Sequence, residues 1–286
     1  MKAKLLMIQG TSSGAGKSTI AMGLCRIFSD LGYRVAPFKA QNMSSNVHTI
    51  TRKSKSEEIA QAQAIQAEAC RKRPKVNMNP ILIKQLGNYR SRVILNGIFY
   101  SEMHVKEYYE MFTLQKGFPI VIEALDSLRK ENDIVVIEGA GSPAEINISK
   151  YDIANMLLAK KVEAPVIIVT DVERGGCFAS IVGTLNLLKP QYRRLIRGFL
   201  INKFRGNASI LAPAIKSVEK ITRKKNFGVI PKLTFNLPAE DSLDSASKVP
   251  IPSRDWDREI DIVANSIKDN ISLDEILTNV LGLDKT

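Results

Sequence analysis

The sequence is poor in the residues that build disulfide frameworks and zinc sites. It has three cysteines and two histidines among 286 residues, and Cys25, Cys70 and Cys177 lie far apart with no histidine beside them. Disulfide-rich secreted folds and structural zinc sites need closely spaced ligands, so both classes are disfavoured. We expect the three cysteines to be small core residues.

Long apolar runs are also missing. No stretch approaches the roughly 20 apolar residues that span a bilayer, and Met1 to Lys4 lead directly into a strand pattern instead of a signal-peptide core. The chain is 44% apolar and 24% charged, as ordinary globular proteins are. These features predict a cytoplasmic protein without a membrane partner.

Acidic residues are scarce in most of the chain. There are 41 basic and 29 acidic residues, and the formal net charge is +12. From Asp255 onward eight acids face three bases, so residues 1–254 carry +17. A positive field attracts anions, so the basic residues could bind an anionic small ligand or nucleic acid. They could also form an ordinary solvated surface. Nucleic acid is the least favoured, because no basic helix is interleaved with aromatic residues.

The most informative feature that is present is the segment GTSSGAGKST at residues 10–19. It follows the apolar run Leu5–Ile8 and precedes an amphipathic run, so it lies at a strand-to-helix turn. This arrangement is typical of a nucleotide phosphate loop, in which Lys17 reaches the β- and γ-phosphates and the Ser18 hydroxyl binds Mg²⁺. Thr11 occupies the first position of the pattern, where glycine is usual. This variant of the motif resembles the phosphate loops of P-loop synthetases more than those of motor proteins or GTPases.

Short β-branched runs alternate with helical stretches along the chain. The predicted strands are Lys4–Ile8, Arg34–Phe38, Ile134–Glu138, Val166–Thr170, Arg197–Ile201 and Phe227–Ile230, and the predicted helices are 17–30, 57–72, 119–131, 152–161, 177–188 and 208–223. Continuously apolar strands separated by helices predict an α/β fold of the P-loop NTPase type, with a mostly parallel sheet and helices on both faces.

Two further segments complete the predicted organisation. Arg92–Leu95 and Ile98–Tyr100, joined by Asn96-Gly97, indicate a β-hairpin in an insertion that spans about 77–118. Pro250, Pro252 and Ser253 mark a linker, and Asp257–Leu283 indicates one or two acidic amphipathic helices. We expect a synthetase domain at 1–245 and a linker with an acidic helical tail at 246–286, where the tail either docks a partner or packs on its own domain.

Polar residues follow several of the predicted strands, and ligands of such sheets lie at the strands' C-terminal ends. Lys39, Gln41 and Asn42 come after Phe38 and could hold a transferring phosphoryl group and a substrate carboxylate or amide. Glu138 ends its strand as a candidate Mg²⁺ ligand. Two other loops offer Arg174, which could clamp phosphate or carboxylate, and Asn202, whose amide suits the edge of a base. Each of these side chains could instead be an ordinary surface or capping group.

The order of these motifs resembles the synthetase domain of cobyric acid synthase, a relative of dethiobiotin synthetase. The matching segments include APFKAQNMS at 36–44, AQAIQAEA at 62–69, NMNPILIK at 77–84, VVIEGAGSPAEIN at 135–147, DIANM at 152–156, VTDVERGGCFASIVGTL at 169–185, GFLINKFRG at 198–206 and LPAEDS at 237–242. The resemblance covers about residues 3–245.

The resemblance implies a role for each matching position. ATP would be bound by Thr11, Gly14, Ala15, Gly16, Lys17, Ser18, Thr19, Asn202 and Pro231; Mg²⁺ by Ser18, Glu138 and Glu58, with Glu57 as the alternative to Glu58; and substrate by Gln41, Asn42, Asp152, Asn155 and Arg174. Lys17, Lys39 and Glu138 would be the catalytic residues, and Lys39 would balance the charge of a phosphorylated intermediate.

The resemblance also implies a reaction. ATP would phosphorylate peripheral carboxylates of (adenosyl)cobyrinic acid a,c-diamide, and ammonia would convert each acyl phosphate to an amide, giving cobyric acid in cobalamin biosynthesis. Members of the family usually continue into a glutamine amidotransferase domain, whose cysteine elbow this sequence lacks. We therefore expect free ammonia, a separate glutaminase subunit or a changed function, and a homodimer is left open.

Two alternatives remain from the sequence. One is a ParA/MinD-like switch ATPase, which would need a second lysine early in the phosphate loop, where Ser12 stands. The other is a ligase similar to dethiobiotin synthetase that acts on a different carboxylate.

Overall fold

The computed structural model describes residues 2–52, 55–238 and 256–283. Its central sheet has six parallel strands. In spatial order they are β12 (Lys225–Pro231), β11 (Ile196–Phe204), β10 (Val166–Asp171), β1 (Lys4–Gly10), β9 (Ile134–Glu138) and β2 (Val35–Phe38). All six strands were predicted, and the mostly parallel sheet is confirmed.

The central strands are continuously apolar because both faces of the sheet are covered. Leu5 and Met7 of β1 belong to the core on one face, while Leu6 and Ile8 belong to the core on the other. Successive side chains of a strand point to opposite faces, so a strand buried on both sides cannot alternate with polar residues.

Helices cover both faces of this sheet. The ten α-helical segments of the described chain are α1 (Lys17–Asp30), α2 (Gln61–Ala69), α3 (Val105–Glu107), α4 (Phe118–Glu131), α5 (Met156–Val162), α6 (Cys177–Leu187), α7 (Pro190–Arg193), α8 (Ala212–Thr222), α9 (Trp256–Asp269) and α10 (Leu273–Glu275). Short 3₁₀ turns occupy Val76–Met78, Ser149–Tyr151 and Ala208–Leu211, and π-helical turns occupy Tyr108–Gly117 and Ile276–Val280.

A second sheet lies in the region between β2 and α4. It contains β3 (Gln41–Met43), β6 (Ile81–Gly87), β7 (Arg90–Leu95) and β8 (Ile98–His104) in that order, and β3 is parallel to β6. The predicted hairpin is confirmed as β7 and β8, with Asn96 and Gly97 both at positive φ in the turn. The sequence did not reveal the other strands of this sheet.

The predicted helix 57–72 begins later than expected. Val47–Arg52 (β4) and Lys55–Ala60 (β5) form an antiparallel pair, and α2 starts only at Gln61. Glu57 and Glu58 therefore lie on a strand, which corrects the prediction that Glu58 heads a helix. Paired backbone groups and the packing of Ile59 override the helix-favouring glutamates.

The acidic tail packs on its own chain. Trp256, Ile260, Val263 and Ile267 of α9 are buried in the same core cluster as α1. The linker predicted at 250–253 and the boundary predicted after residue 245 lie outside the described residues. Within the described ranges, no helix combines the length and apolar character that crossing a bilayer requires.

Candidate active site

The phosphate loop lies between the end of β1 and the start of α1, as predicted. Gly14 and Gly16 both have positive φ, and Gly16 is the residue that precedes the helix. A side chain on Gly16 would also collide with the amide nitrogen of Asn202. The first N–H groups of α1 have no partner within the helix, so this helix end can bind an anion.

Lys17 is folded back inside the loop. Its ammonium donates to the carbonyl oxygens of Ser12 and Gly141, each at 3.0 Å, and the residue is 7% exposed. Gly141 belongs to the segment that follows β9. The lysine therefore connects the phosphate loop to the loop of a neighbouring strand.

A buried carboxylate, that of Glu138, is the centre of the site. Its Oε1 accepts the hydroxyl of Ser18 at 2.7 Å and the ammonium of Lys39 at 2.7 Å. Its Oε2 accepts the side-chain amides of Gln66 at 2.5 Å and Gln63 at 3.3 Å. Removing a carboxylate from water is costly, and these four donors with one positive charge offset that cost.

Strand register explains this convergence. Glu138 of β9 lies beside Ile8 of β1, and Phe38 of β2 lies beside Ile137 of β9. Ser18 and Lys39 follow β1 and β2, so parallel pairing delivers both to the same edge. Sequence reasoning missed Gln63 and Gln66, although their three-residue spacing within AQAIQAEA indicates one helix face.

The predicted substrate residues of β3 connect the site to the second sheet. The amide of Asn42 donates to Gln63 at 2.8 Å, and the hydroxyl of Tyr108 donates to the side-chain oxygen of Gln41 at 2.7 Å. Gln41 and Asn42 both line the cavity described below. Tyr108 is buried, and burial raises the pKa of its phenol well above the usual range.

Asp152 and Asn155 hold the segment that follows β9. The side chain of Asn155 donates to the carbonyl of Ala140 at 2.6 Å and accepts from its N–H at 3.1 Å. It also donates to Asp152 at 3.2 Å. Removal from water raises the pKa of the Asp152 carboxyl to about 7, against the opposing effect of hydrogen bonds from Asn155 and Ala154.

Residues after β11 hold the phosphate loop from its other side. The amide of Asn202 donates to the carbonyl of Ala15 at 3.0 Å, and the ammonium of Lys203 donates to that of Gly14 at 2.6 Å. Lys203 also pairs with Asp171 at 2.8 Å. The sequence predicted that Asn202 binds the edge of a base, and in the structure its amide bonds the phosphate loop; the sequence did not reveal Lys203, whose φ of 63° is uncommon for a residue other than glycine.

These side chains surround one cavity of about 1480 Å³. Gly14, Gly16, Lys17, Ser18, Thr19, Lys39, Gln41, Asn42, Asp152 and Asn155 are among its lining residues, so the structure brings these predicted site residues together. Thr11 bonds Thr170 through its hydroxyl at 3.1 Å and Ala15 is buried, so both shape the loop from behind. Pro231 ends β12, and the lining continues from Lys232 to Pro238.

The structure does not bring Arg174 or Glu58 to the cavity lining, and the buried Glu138 and Asn202 lie behind the lining residues. Arg174 is exposed in the turn between β10 and α6. Glu58 lies on β5, and both oxygens of its carboxylate accept from Lys84 at 2.8 Å.

Residues 6–242 match the model of the CobQ/CobB/MinD/ParA nucleotide binding domain. The chain belongs to this family.

Curated relatives carry a common name. One, named probable cobyric acid synthase, from Thermococcus onnurineus (strain NA1), is 52% identical over 246 residues, which are 86% of this chain and 50% of that protein. The cobyric acid synthase of Streptococcus sanguinis (strain SK36) is 46% identical over 267 residues, 93% of this chain and 52% of that protein. The chain spans about half the length of the curated relatives it matches.

A solved structure in the comparison is the ATP complex of McdA from Cyanothece. It superimposes with a TM-score of 0.48 at 15% identity, covering 100% of this chain and 98% of that one.

The site of this CobQ/CobB/MinD/ParA family member offers oxygen donors suited to Mg²⁺. Proteins that use Mg²⁺ with a nucleotide supply one or two carboxylates, while phosphates and waters complete the octahedron. The Ser18 hydroxyl and the Glu138 carboxylate meet that requirement. Within the described ranges there is no cluster of three or more His, Cys, Asp or Glu side chains that could form an all-protein metal site.

Proposed function

We propose that this chain is an ATP-dependent amide-forming synthetase of the cobyric acid synthase type. The observation that carries the proposal is the Ser18–Glu138–Lys39 cluster, which places a hydroxyl, a carboxylate and an ammonium together beside the phosphate loop. The names of the relatives support the same reaction class.

The proposed substrates are ATP and a corrinoid polycarboxylate, (adenosyl)cobyrinic acid a,c-diamide. A substrate carboxylate oxygen attacks the γ-phosphorus, the bond to the β-phosphate oxygen breaks, and ADP leaves. Ammonia then attacks the acyl carbon of the acyl phosphate, and inorganic phosphate leaves with the former carboxylate oxygen. Repetition at further carboxylates gives cobyric acid.

The chain's own residues would act by positioning and charge. Lys17 would exchange its carbonyl partners for phosphate oxygens, because a charge-assisted bond to phosphate is stronger than one to a neutral carbonyl. Lys39 would face the transferring phosphoryl group while Glu138 fixes its position. Mg²⁺, held by Ser18 and Glu138 directly or through water, would neutralise charge on the nucleotide phosphates. No enzyme nucleophile is needed.

The size of the cavity supports the binding of two ligands, a nucleotide and a larger, more apolar substrate. Its volume of about 1480 Å³ exceeds the roughly 300–1,000 Å³ of ordinary small-ligand pockets. The rings of Tyr109 and Tyr151 lie 6.2 Å apart at 38°, and Ile148 and Ile153 line the cavity with them. An apolar ring system with a carboxylate rim suits this aromatic wall together with Lys39 and Asn42.

The nitrogen source in this proposal is ammonia, either free or delivered by a separate glutaminase. Cys25, Cys70 and Cys177 are all buried. Burial raises the pKa of the thiols of Cys25 and Cys177. A glutaminase needs an accessible thiolate, and these cysteines lack that character.

The test is to incubate purified protein with Mg-ATP and cobyrinic acid a,c-diamide, add either ammonium or glutamine, and follow the product mass. Stepwise conversion of carboxylates to amides with ammonium supports the proposal. No mass change, combined with ATP hydrolysis that DNA or lipid stimulates, would favour a ParA/MinD-like switch. Turnover of a different carboxylic acid would favour another ligase of the family.

A further inference from the structure

We propose that the acidic helix α9 is a positioning element of the nucleotide site, acting through Glu259 on the cavity-lining segment 232–238. The inference rests on the proposed binding of ATP in this cavity. It gives the acidic tail a role within the chain, where the sequence left docking of a partner as an alternative.

One side of α9 is fixed to α1, the helix that begins at the phosphate loop. Arg26 of α1 is fully buried and pairs with Asp257 and, at 3.5 Å, with Asp261. Gly23 allows α9 to approach closely, since a side chain there would collide with Ile267. These contacts fix the position of α9 relative to the phosphate loop.

A different side of α9 holds the cavity wall. The carboxylate oxygen Oε2 of Glu259 accepts the backbone N–H of Asn236 at 2.7 Å. Residues two apart in a helix are separated by about 200°, so Glu259 projects away from the side that carries Asp257 and Asp261. The helix thereby bridges α1 and the segment 232–238.

The segment itself has little regular structure to hold it. Leu233, Phe235 and Leu237 are half-buried against the core cluster that contains α9, while the residues between them are exposed. Residues 232–238 all line the cavity. The shape of this wall therefore depends on apolar contacts with the α9 side of the core and on the Glu259 bond.

Acidic residues of the C-terminal tail have partners within the chain. Asp257 and Asp261 pair with Arg26, Glu259 holds Asn236, and Glu275 pairs with Lys225 at 2.6 Å. An acidic docking surface would leave such charges without partners in its own chain, whereas Asp257 and Asp261, although half exposed, both pair with Arg26. The contacts instead favour a helix that shapes its own domain.

The experiment compares Glu259→Ala, Glu259→Gln and the control Asp269→Ala, an exposed acid on the same helix, in the full chain. Isothermal titration gives the Kd for ADP and for the corrinoid substrate, and hydrogen exchange follows the backbone amides of residues 232–237. We expect Glu259→Ala to weaken ADP binding roughly three- to tenfold, the factor that one lost hydrogen bond produces, and to speed exchange in 232–237. Glu259→Gln keeps an acceptor oxygen and should restore both.

Three results would overturn the inference. They are an unchanged Kd for ADP in Glu259→Ala, an equal loss of affinity for both ligands, which indicates general destabilisation, and an equal effect of Asp269→Ala. If the wild-type chain bound no ADP or ATP, the proposed function itself would fail. That outcome is distinct from normal wild-type binding with an insensitive Glu259→Ala variant.

Discussion

The ammonium of Lys39 lies 2.7 Å from the carboxylate of Glu138, and the two side chains are 5% and 0% exposed. Each residue follows or ends a different strand of the central sheet. Each charge offsets part of the free-energy cost of burying the other. The same two proposed catalytic residues should therefore also affect the free energy of unfolding.

Removing one partner of this pair should therefore cost more than removing both. Lys39→Met removes the ammonium that lies 2.7 Å from the Glu138 carboxylate and should lower the free energy of unfolding by about 3–5 kcal/mol. The double variant Lys39→Met/Glu138→Gln should recover much of that loss and remain inactive. Urea unfolding measures the first effect and product mass the second. A double variant that is as unstable as the sum of the single variants would contradict this account.

Lys17→Ala should abolish turnover, because the charge that would meet the nucleotide phosphates is lost. The fold should persist, since the Lys17 bonds to the carbonyl oxygens of Ser12 and Gly141 join two loops and do not belong to a strand or helix ladder. Steady-state rates and the thermal midpoint test this prediction. Lys161→Ala, at an exposed position of α5, is the matched control and should retain activity. Full turnover by Lys17→Ala would remove the phosphate loop from the mechanism.

Lys203→Met should weaken nucleotide binding by about tenfold, or about 1.4 kcal/mol, since its bonds to Gly14 and Asp171 disappear and solvent screening reduces what each contributes. Loosening of the phosphate loop would be one cause, and loss of a positive charge from the cavity lining would be another. The control is Lys225→Met, which removes an exposed ion pair with Glu275 at the opposite end of the sheet. Titration with ADP measures the Kd. Equal effects of both variants would contradict the proposal that Lys203 holds the phosphate loop in place.

Tyr109→Ala should raise the KM for the corrinoid several-fold and leave the KM for ATP unchanged, because Tyr109 belongs to the proposed corrinoid wall and not to the phosphate loop. Tyr109→Phe keeps the ring and should behave like the wild type. Tyr89→Ala, at a residue that is 78% exposed, is the control. Equal changes in both KM values would place Tyr109 outside a substrate-specific wall.

Asp152 should make stability depend on pH. Its folded-state pKa of about 7 lies above the unfolded value near 3.9, so the folded state binds the proton more tightly. Stability contributed by the neutral acid is complete below about pH 4 and falls as pH rises towards 7. Asp152→Asn should remove this dependence. The difference in thermal midpoint between variant and wild type should therefore grow in favour of the variant from pH 5 to 8, and a constant difference would contradict the shifted pKa.

The sequence predicted the strands that are buried on both faces and did not predict the short polar ones. Strands such as Ile134–Glu138 are buried on both faces, so their composition alone identified them. Val47–Arg52 and Lys55–Ala60 are short and polar, and their pairing depends on backbone bonds that composition does not encode.

The site shows the same contrast. Ser18, Lys39 and Glu138 follow or end recognisable strands, so sheet topology placed them together. Gln63 and Gln66 act from a helix whose start was misplaced, and Lys203 depends on an uncommon backbone angle. Glu58 was assigned from a resemblance at a point where the local sequence had changed, and the structure gives it to Lys84.

In the proposed reaction, ATP activates a substrate carboxylate as an acyl phosphate. The most direct test of this step uses a corrinoid substrate whose carboxylates carry oxygen-18, incubated with the protein, Mg-ATP and ammonium. We expect that the formation of each amide releases one phosphate that contains one oxygen-18 atom, because the former carboxylate oxygen leaves with phosphorus. Phosphate without the label, or ATP cleavage that does not require the corrinoid, would contradict the account.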